Sequence, residues 1–210
     1  MTGEPVIHVV DDDRAAREGL GFLLSSLGLA IAEHASAAGL LAALGDGTGD
    51  GTGEGCILAD LRMPGMSGLE LLDELGRRGC PLPVIMITGH GDVPLAVRAM
   101  RAGAMDFFEK PVNGLALVER ITEALKLSRE RAAAARAARD LQARVASLSP
   151  REAQVAAGVL AGRLGKQIAA DLGISPKTVE IHRHNAMEKM GASNAAELVR
   201  LLAAAGWTAG

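Results

Sequence analysis

No stretch of this 210-residue chain is apolar for long enough to cross a bilayer. Hydrophobic residues make up 49% of it, yet no uninterrupted run approaches the roughly 18 that a membrane helix needs. The first residues also read as a poor secretory leader. Met1 to Pro5 carries no basic residue, and the short apolar segment from Val6 to Val10 runs directly into Asp11, Asp12 and Asp13, where a leader would have to continue. The expected compartment is therefore the cytoplasm, without membrane attachment. Cysteine is scarce. Cys56 and Cys80 are the only two, each in or beside an apolar segment, as expected of small buried hydrophobes in a reducing cell rather than of a disulfide or metal framework. A glycine-rich phosphate loop of the nucleotide-binding kind is absent, which argues against an ATPase.

What is present suits two domains, one of about 120 residues and one of about 60, each with its own core. The net charge of −3 hides an asymmetry: residues 1–127 carry 10 basic against 18 acidic residues, 128–148 carry 5 against 2, and 149–210 carry 7 against 5. A mildly basic C-terminal part, with His182 and His184 in addition, suits a polyanionic partner.

The first part alternates short apolar runs with amphipathic stretches, the pattern of a parallel sheet covered by helices on both faces. Strands are predicted near Val6 to Val10, Leu29 to Glu33, Cys56 to Ala59, Val84 to Thr88 and Ala104 to Phe107. Helices are predicted near Arg14 to Leu27, Ala37 to Leu44, Gly68 to Arg77, Val93 to Ala102 and Gly114 to Leu127. Ser36, Ser67, Asp92 and Asn113 are suitable N-caps, and Pro94 falls in a first turn. Between Gly45 and Gly55 glycine alternates with acidic residues and threonine, which reads as a solvated loop, because the calcium-binding repeat it superficially matches has another period and needs stacked copies.

From Ser128 to Ser147 the chain is rich in Ala and Arg without Gly or Pro, a composition that favours helix. Continued from Asn113, that helix would be roughly 50 Å long. Ala133, Ala137, Leu141, Val145 and Leu148 form a thin apolar stripe along it. The expected division is 1–127, a helical linker over 128–147, and 148–210.

In an open parallel sheet, ligands sit beyond the C-terminal strand ends where the strand order reverses. Asp11 and Asp12 close the first predicted strand and Asp60 the third, so with strand order 2-1-3-4-5 all three meet at that point. Thr88 ends the fourth strand and Lys110 follows the fifth. Clustered carboxylates repel one another unless a cation joins them, and Mg²⁺, held by one or two carboxylates with water and phosphate oxygens, is the usual solution in phosphoryl transfer. A carboxylate can then attack phosphorus, with metal and Lys110 screening the charge on the phosphoryl oxygens and Thr88 donating a hydrogen bond to them.

Four segments, Val9 to Asp13, Asp60 to Gly68, Thr88 to His90 and Glu109 to Pro111, closely resemble the receiver domain of two-component response regulators, over about residues 5–127. The resemblance implies a flavodoxin-like fold in which Asp60 is the phosphoacceptor. Asp11, Asp12 and Asp60 would hold Mg²⁺ together with the Arg62 backbone carbonyl, and Lys110 would contact the phosphoryl group. Thr88 and Phe107 would form the switch, the ring turning inward when the Thr88 hydroxyl moves to the phosphate.

The second domain begins with Ser149, Pro150, Arg151 and Glu152: an N-cap, a proline in the first helical position and the glutamate of a capping box. That helix should reach about Ala161. A second runs from Gly165 to Leu172, Gly173 and Ile174 turn the chain, and Ser175 and Pro176 open a third through about Met190. This is the spacing of a helix-turn-helix, and a fourth helix is expected near Ala195 to Ala204. Val179, His182, Ala186 and Met190 read as the buried stripe of the third helix, leaving its other side for DNA.

Here the sequence resembles the four-helix output domain of the LuxR type, and the whole chain resembles the FixJ subfamily. The matching segments are Leu148 to Glu152, Lys166 to Ala169 and Thr178 to Arg183. The resemblance implies that Glu180, Ile181 and His184 face base edges while Lys166, Lys177, Thr178 and Arg183 hold phosphates. Gly165 stands where the family commonly has Asn, and His184 where it often has a small residue. Both departures bear on which DNA sequence is read.

The implied partners are a sensor histidine kinase, double-stranded DNA, RNA polymerase, and a second copy of the chain. The copy would pair on phosphorylation through the fourth helix and fifth strand and the linker helix. Two other readings are weighed. A receiver-controlled hydrolase using Ser149 or His182 lacks the strand-turn-helix frame that such catalysis needs. A receiver joined to an RNA-binding antiterminator fits less well than duplex DNA with a capped, basic third helix.

Overall fold

A computed structural model describes residues 4–26, 28–45, 53–89 and 93–208. The proposed cap Asp92, His90, Leu27 and most of the glycine-rich segment lie outside them. The chain divides into two compact units, Met1–Ala133 and Ala134–Gly210.

The first unit is a five-stranded parallel sheet in the order β2-β1-β3-β4-β5, formed by β1 (Val6–Val10), β2 (Ala30–His34), β3 (Gly55–Asp60), β4 (Val84–Thr88) and β5 (Asp106–Glu109). Every residue of β3 and β4 is buried, which is why these strands read as unbroken apolar runs rather than as alternation. Helices α1 (Arg14–Ser25) and α5 (Gly114–Ala146) contribute Leu24, Leu117, Ile121 and Ala124 to one core layer with Ile7, Val9, Leu58 and Ile85. On the other face α2 (Ala37–Leu44), α3 (Gly68–Arg77) and α4 (Val93–Arg101) supply Leu40, Leu71, Leu75 and Ala99 against Val10, Ile57, Ala59 and Met86.

Two edge strands start later than the apolar pattern suggests. Leu29 N–H bonds to the Leu24 carbonyl, and Ala104 N–H to that of Ala99; both residues are spent closing the preceding helix, so β2 begins one residue later and β5 two.

In the second unit, α6 (Pro150–Leu160), α7 (Gly165–Leu172), α8 (Pro176–Met190) and α9 (Ala195–Ala204) follow one another with short turns. Ser149 and Glu152 form the expected capping box on α6. Gly173 closes α7 in the left-handed conformation, φ 64°, where a side chain would be strained. Val155, Ile168, Ala169 and Val179 make one core cluster. Ala156, Met190, Leu198 and Leu202 make another, joined by Leu141, Val145, Leu148 and Trp207. The latter half of α5 is further tied to this unit by Arg144, which donates to the Met190 carbonyl, and Gln142, which donates to that of Ala205.

Candidate functional site

Parallel register alone brings the acids together. Val10 pairs with Ala59, so Asp11 comes level with Asp60; Asp60 pairs with Ile87 and Thr88 with Glu109, so Thr88 and Lys110 stand at the same sheet end. Asp11 is 2% exposed, Asp60 7% and Thr88 1%. Buried carboxylates require compensation, and Lys110 supplies it: its Nζ donates to Asp11 Oδ2 at 2.5 Å and to Asp60 Oδ1 at 2.9 Å. Burial works against the Lys110 ammonium, but the hydrogen bonds to Asp11 and Asp60 outweigh it and hold its pKa above that of an ordinary lysine.

Each carboxylate is further oriented by backbone. Asp60 Oδ2 accepts from Arg62 N at 2.6 Å, and Asp11 Oδ1 from Asp13 N at 2.9 Å. Helix α3 comes close behind Asp60 because its first residue is glycine: a Cβ on Gly68 would lie 2.3 Å from the Asp60 carbonyl oxygen and 2.5 Å from Met86 Cε. Asp12 is exposed beside this pair. Phe107 is partly buried against the core layer of α2, α3 and α4.

Asp11, Asp12 and Asp60 offer only hard oxygens, the donor chemistry of Mg²⁺. Among the described residues no three His, Cys, Asp or Glu side chains converge as a complete metal cage. The fit is therefore to a hard ion that keeps several waters between itself and some of its carboxylates, as Mg²⁺ does.

In the second unit the expected DNA residues occupy the outer side of the helix-turn-helix. Lys177, Glu180, Ile181 and His184 are exposed at spacings of three, one and three on α8, with Ile181 at 53%, so they share one face. Lys166 is exposed in the first turn of α7, and the place a Cβ would take on Gly165 is 3.5 Å from Glu180 Oε1, which puts that turn beside the α8 face. Arg183 is half-buried and pairs with Glu180 at 2.5 Å. The Thr178 hydroxyl is engaged with Ser175 Oγ at 2.8 Å. Val179, Ala186 and Met190 are buried. His182 is half-buried with its Nδ1 enclosed and unpartnered, a packed ring rather than an outward one.

Several residues that shape these sites went unnoticed in the sequence. Lys189 bridges to the buried Glu152 at 2.6 Å, and this hydrogen bond, with those from Ser149, holds the Glu152 carboxyl below the usual range. Arg17 reaches the loop carrying Asp11 and Asp12. The available signal was position: Arg17 lies four and seven residues before the buried Gly21 and Leu24, and so on the inward face of α1. Ser149, weighed above as a nucleophile, accepts from Glu152 N as a helix cap.

Residues 7–122 match the response regulator receiver domain family, and residues 146–202 match the bacterial regulatory proteins of the luxR family; the second match sets the antiterminator reading aside. The chain is 50% identical over 200 residues to the transcriptional regulatory protein FixJ of Azorhizobium caulinodans, covering 95% of this chain and 92% of that one. It is 46% identical to FixJ of Bradyrhizobium diazoefficiens, over 98% of each. Among solved structures, the response regulator StyR matches with a TM-score of 0.82 at 40% identity, covering 96% of this chain and 99% of that one. Full-length FixJ from B. japonicum matches with 0.57 at 45% identity, over 98% of each.

Proposed function

Since the chain belongs to the two-component response regulators of the FixJ subfamily, with a receiver followed by a LuxR-type DNA-binding domain, we propose that phosphorylation of Asp60 by a sensor histidine kinase switches on its binding to promoter DNA. The observation that carries this reading is the ammonium of Lys110 shared between Asp11 and Asp60 at the C-terminal ends of adjacent strands.

The Asp60 carboxylate attacks phosphorus while the bond from phosphorus to the donor's histidine nitrogen breaks, giving an aspartyl phosphate and a free imidazole. Asp11, Asp12, Asp60 and the Arg62 carbonyl would hold Mg²⁺, which supplies charge neutralisation on the phosphoryl oxygens. Lys110 then follows the phosphoryl group, and the Thr88 hydroxyl donates to it, which draws Phe107 inward and alters α4 and β5. Val93, Val97 and Met100 on α4 are 77%, 44% and 47% exposed. They recur at spacings of four and three, an apolar stripe suited to a second copy. Dimerisation makes the second DNA contact intramolecular, so two weak reading heads act as one bivalent binder. Glu180, Ile181 and His184 would read bases while Lys166, Lys177, Thr178 and Arg183 hold phosphates. The functional division is 1–127 for the receiver, 128–147 for the linker and 148–210 for the output domain. No described helix is long and apolar enough to cross a membrane, in keeping with a cytoplasmic regulator that works with RNA polymerase.

The test is DNA affinity of the full chain and of Asp60→Asn, with and without Mg²⁺ and a small phosphodonor. Enhancement in the wild type alone is expected; equal enhancement in both overturns the phosphoswitch.

A further inference from the structure

Arg17 is unlike the other arginines of the receiver unit. It lies in the second turn of α1, its side chain is only 13% exposed, and one of its nitrogens meets the main chain of the acidic loop. Nη1 donates to the Asp11 carbonyl at 2.6 Å and to the Asp12 carbonyl at 3.2 Å. In an extended strand successive carbonyls point to opposite sides. Two in a row on one donor mean that the chain has left the strand at Asp11, and that the guanidinium holds it there. Arg17 N–H also bonds to the Asp13 carbonyl, so residues 11, 12 and 13 all give their carbonyl to this one residue.

Glu33, in β2, has Oε2 3.9 Å from Arg17 Nε. Its other oxygen, Oε1, lies 2.9 Å from where a Cβ on Gly21 would stand, so a glycine one helical turn after Arg17 leaves the carboxylate room to approach. The guanidinium therefore carries a partner charge. This decides between two opposite effects on a cation held by Asp11 and Asp12. A bare positive charge nearby would repel it and weaken binding. A charge partly offset by Glu33 repels less, and set against it is the fixing of the two residues' backbone, hence of where their carboxylates point.

We propose that Arg17 is a positioning residue for the cation site: by gathering the Asp11 and Asp12 carbonyls beneath the loop it sets their carboxylates for Mg²⁺, with Glu33 offsetting part of its charge. The proposal rests on the Mg²⁺ reading above. Lysine cannot replace it, because the single nitrogen of an ammonium cannot both donate to the two carbonyls, as Nη1 does, and stand toward Glu33, as Nε does.

The test is calorimetric titration of the full-length protein with Mg²⁺ and no phosphodonor, with thermal unfolding followed in parallel. Arg17→Ala and Arg17→Lys are each expected to raise the Mg²⁺ dissociation constant about tenfold, the low end for an outer-sphere partner of a metal ligand. Arg14→Ala removes an exposed arginine paired with Glu18 on the same helix and should leave affinity unchanged. Should Arg17→Ala fail to fold, Arg17→Lys decides. Variants that bind Mg²⁺ as the wild type does, or more tightly, overturn the proposal. A lysine variant matching wild type would show that only charge matters, which also overturns it. A wild type that takes up no Mg²⁺ overturns the metal reading itself, a result distinct from a wild type that binds and variants that bind equally well.

Discussion

The two units place the residues proposed to do their work in opposite surroundings. In the receiver, Asp11, Asp60 and Thr88 are at most 7% exposed, fixed by strand register, a bridging ammonium and main-chain donors. In the output domain Lys177, Glu180, Ile181 and His184 stand out from one helix face, and what lies beneath them, Val179, Ala186 and Met190, is ordinary core. The difference fits the tasks proposed for them. Phosphoryl transfer is stabilised by preorganised charges in a water-poor site, whereas base reading needs side chains that protrude into a groove. A receiver site should therefore couple chemistry to stability, and a reading head should keep them separate.

The sharpest challenge to that contrast is Gly68→Ala. A methyl group there collides with the Asp60 main chain, so about 3 kcal/mol of receiver stability should be lost together with phosphorylation, read by urea denaturation and phosphodonor labelling. A variant that loses only one of the two would break the coupling. Ile181→Ala should do the reverse: about 2 kcal/mol of operator affinity, some thirtyfold, disappears while the urea midpoint of the output domain, followed through Trp207 fluorescence, stays put.

Ser149→Ala removes the α6 cap: the Glu152 backbone N–H loses its Oγ acceptor, while the Ser149 N–H and Lys189 still reach the Glu152 carboxylate. About 1 kcal/mol should be lost, seen by Trp207 fluorescence and not in receiver phosphorylation.

A pH dependence should also appear, confined to the receiver. His8 and His34 face each other across β1 and β2, Nδ1 to Nε2 at 3.0 Å. Burial, with His34 adding repulsion, lowers the His8 pKa from 6.5 to about 4, and burial lowers that of His34. The unfolded chain thus takes up protons first. Stability from this pair is complete above about 6.5 and falls as the pH drops towards 4, so the receiver's urea midpoint should be lower at pH 5 than at pH 7, and His34→Gln should reduce that difference. A flat wild-type profile would show the pair to be inert.

Much of this was legible before any coordinates, for reasons that particular residues make clear. Caps are local: Ser36, Ser67 and Ser149 each accept from a backbone N–H three residues on, a pattern contained in four letters of sequence. Helix α7 ends at Gly173 and α8 opens on Ser175 and Pro176, where the turn and cap letters put them. The edge strands were misjudged because apolar character cannot tell a ladder residue from one that closes a helix, as Leu29 and Ala104 do. Arg17, Glu33 and Lys189 were overlooked because charged residues on amphipathic helices and edge strands normally face water.

The amino-acid order by itself set the alternation of strand and helix, the acids and the lysine at successive strand ends, and the capped four-helix reader, since each depends on interactions a few residues apart. Only the tertiary structure decided that Lys110 joins Asp11 to Asp60 across 99 and 50 positions of chain. It also decided that Lys189 answers Glu152 across 37 and that Arg17 turns under the acidic loop with Glu33 of β2 at its side. Those pairings are selected by the cost of leaving a charge buried without a partner, and that cost exists only once the core has closed around it.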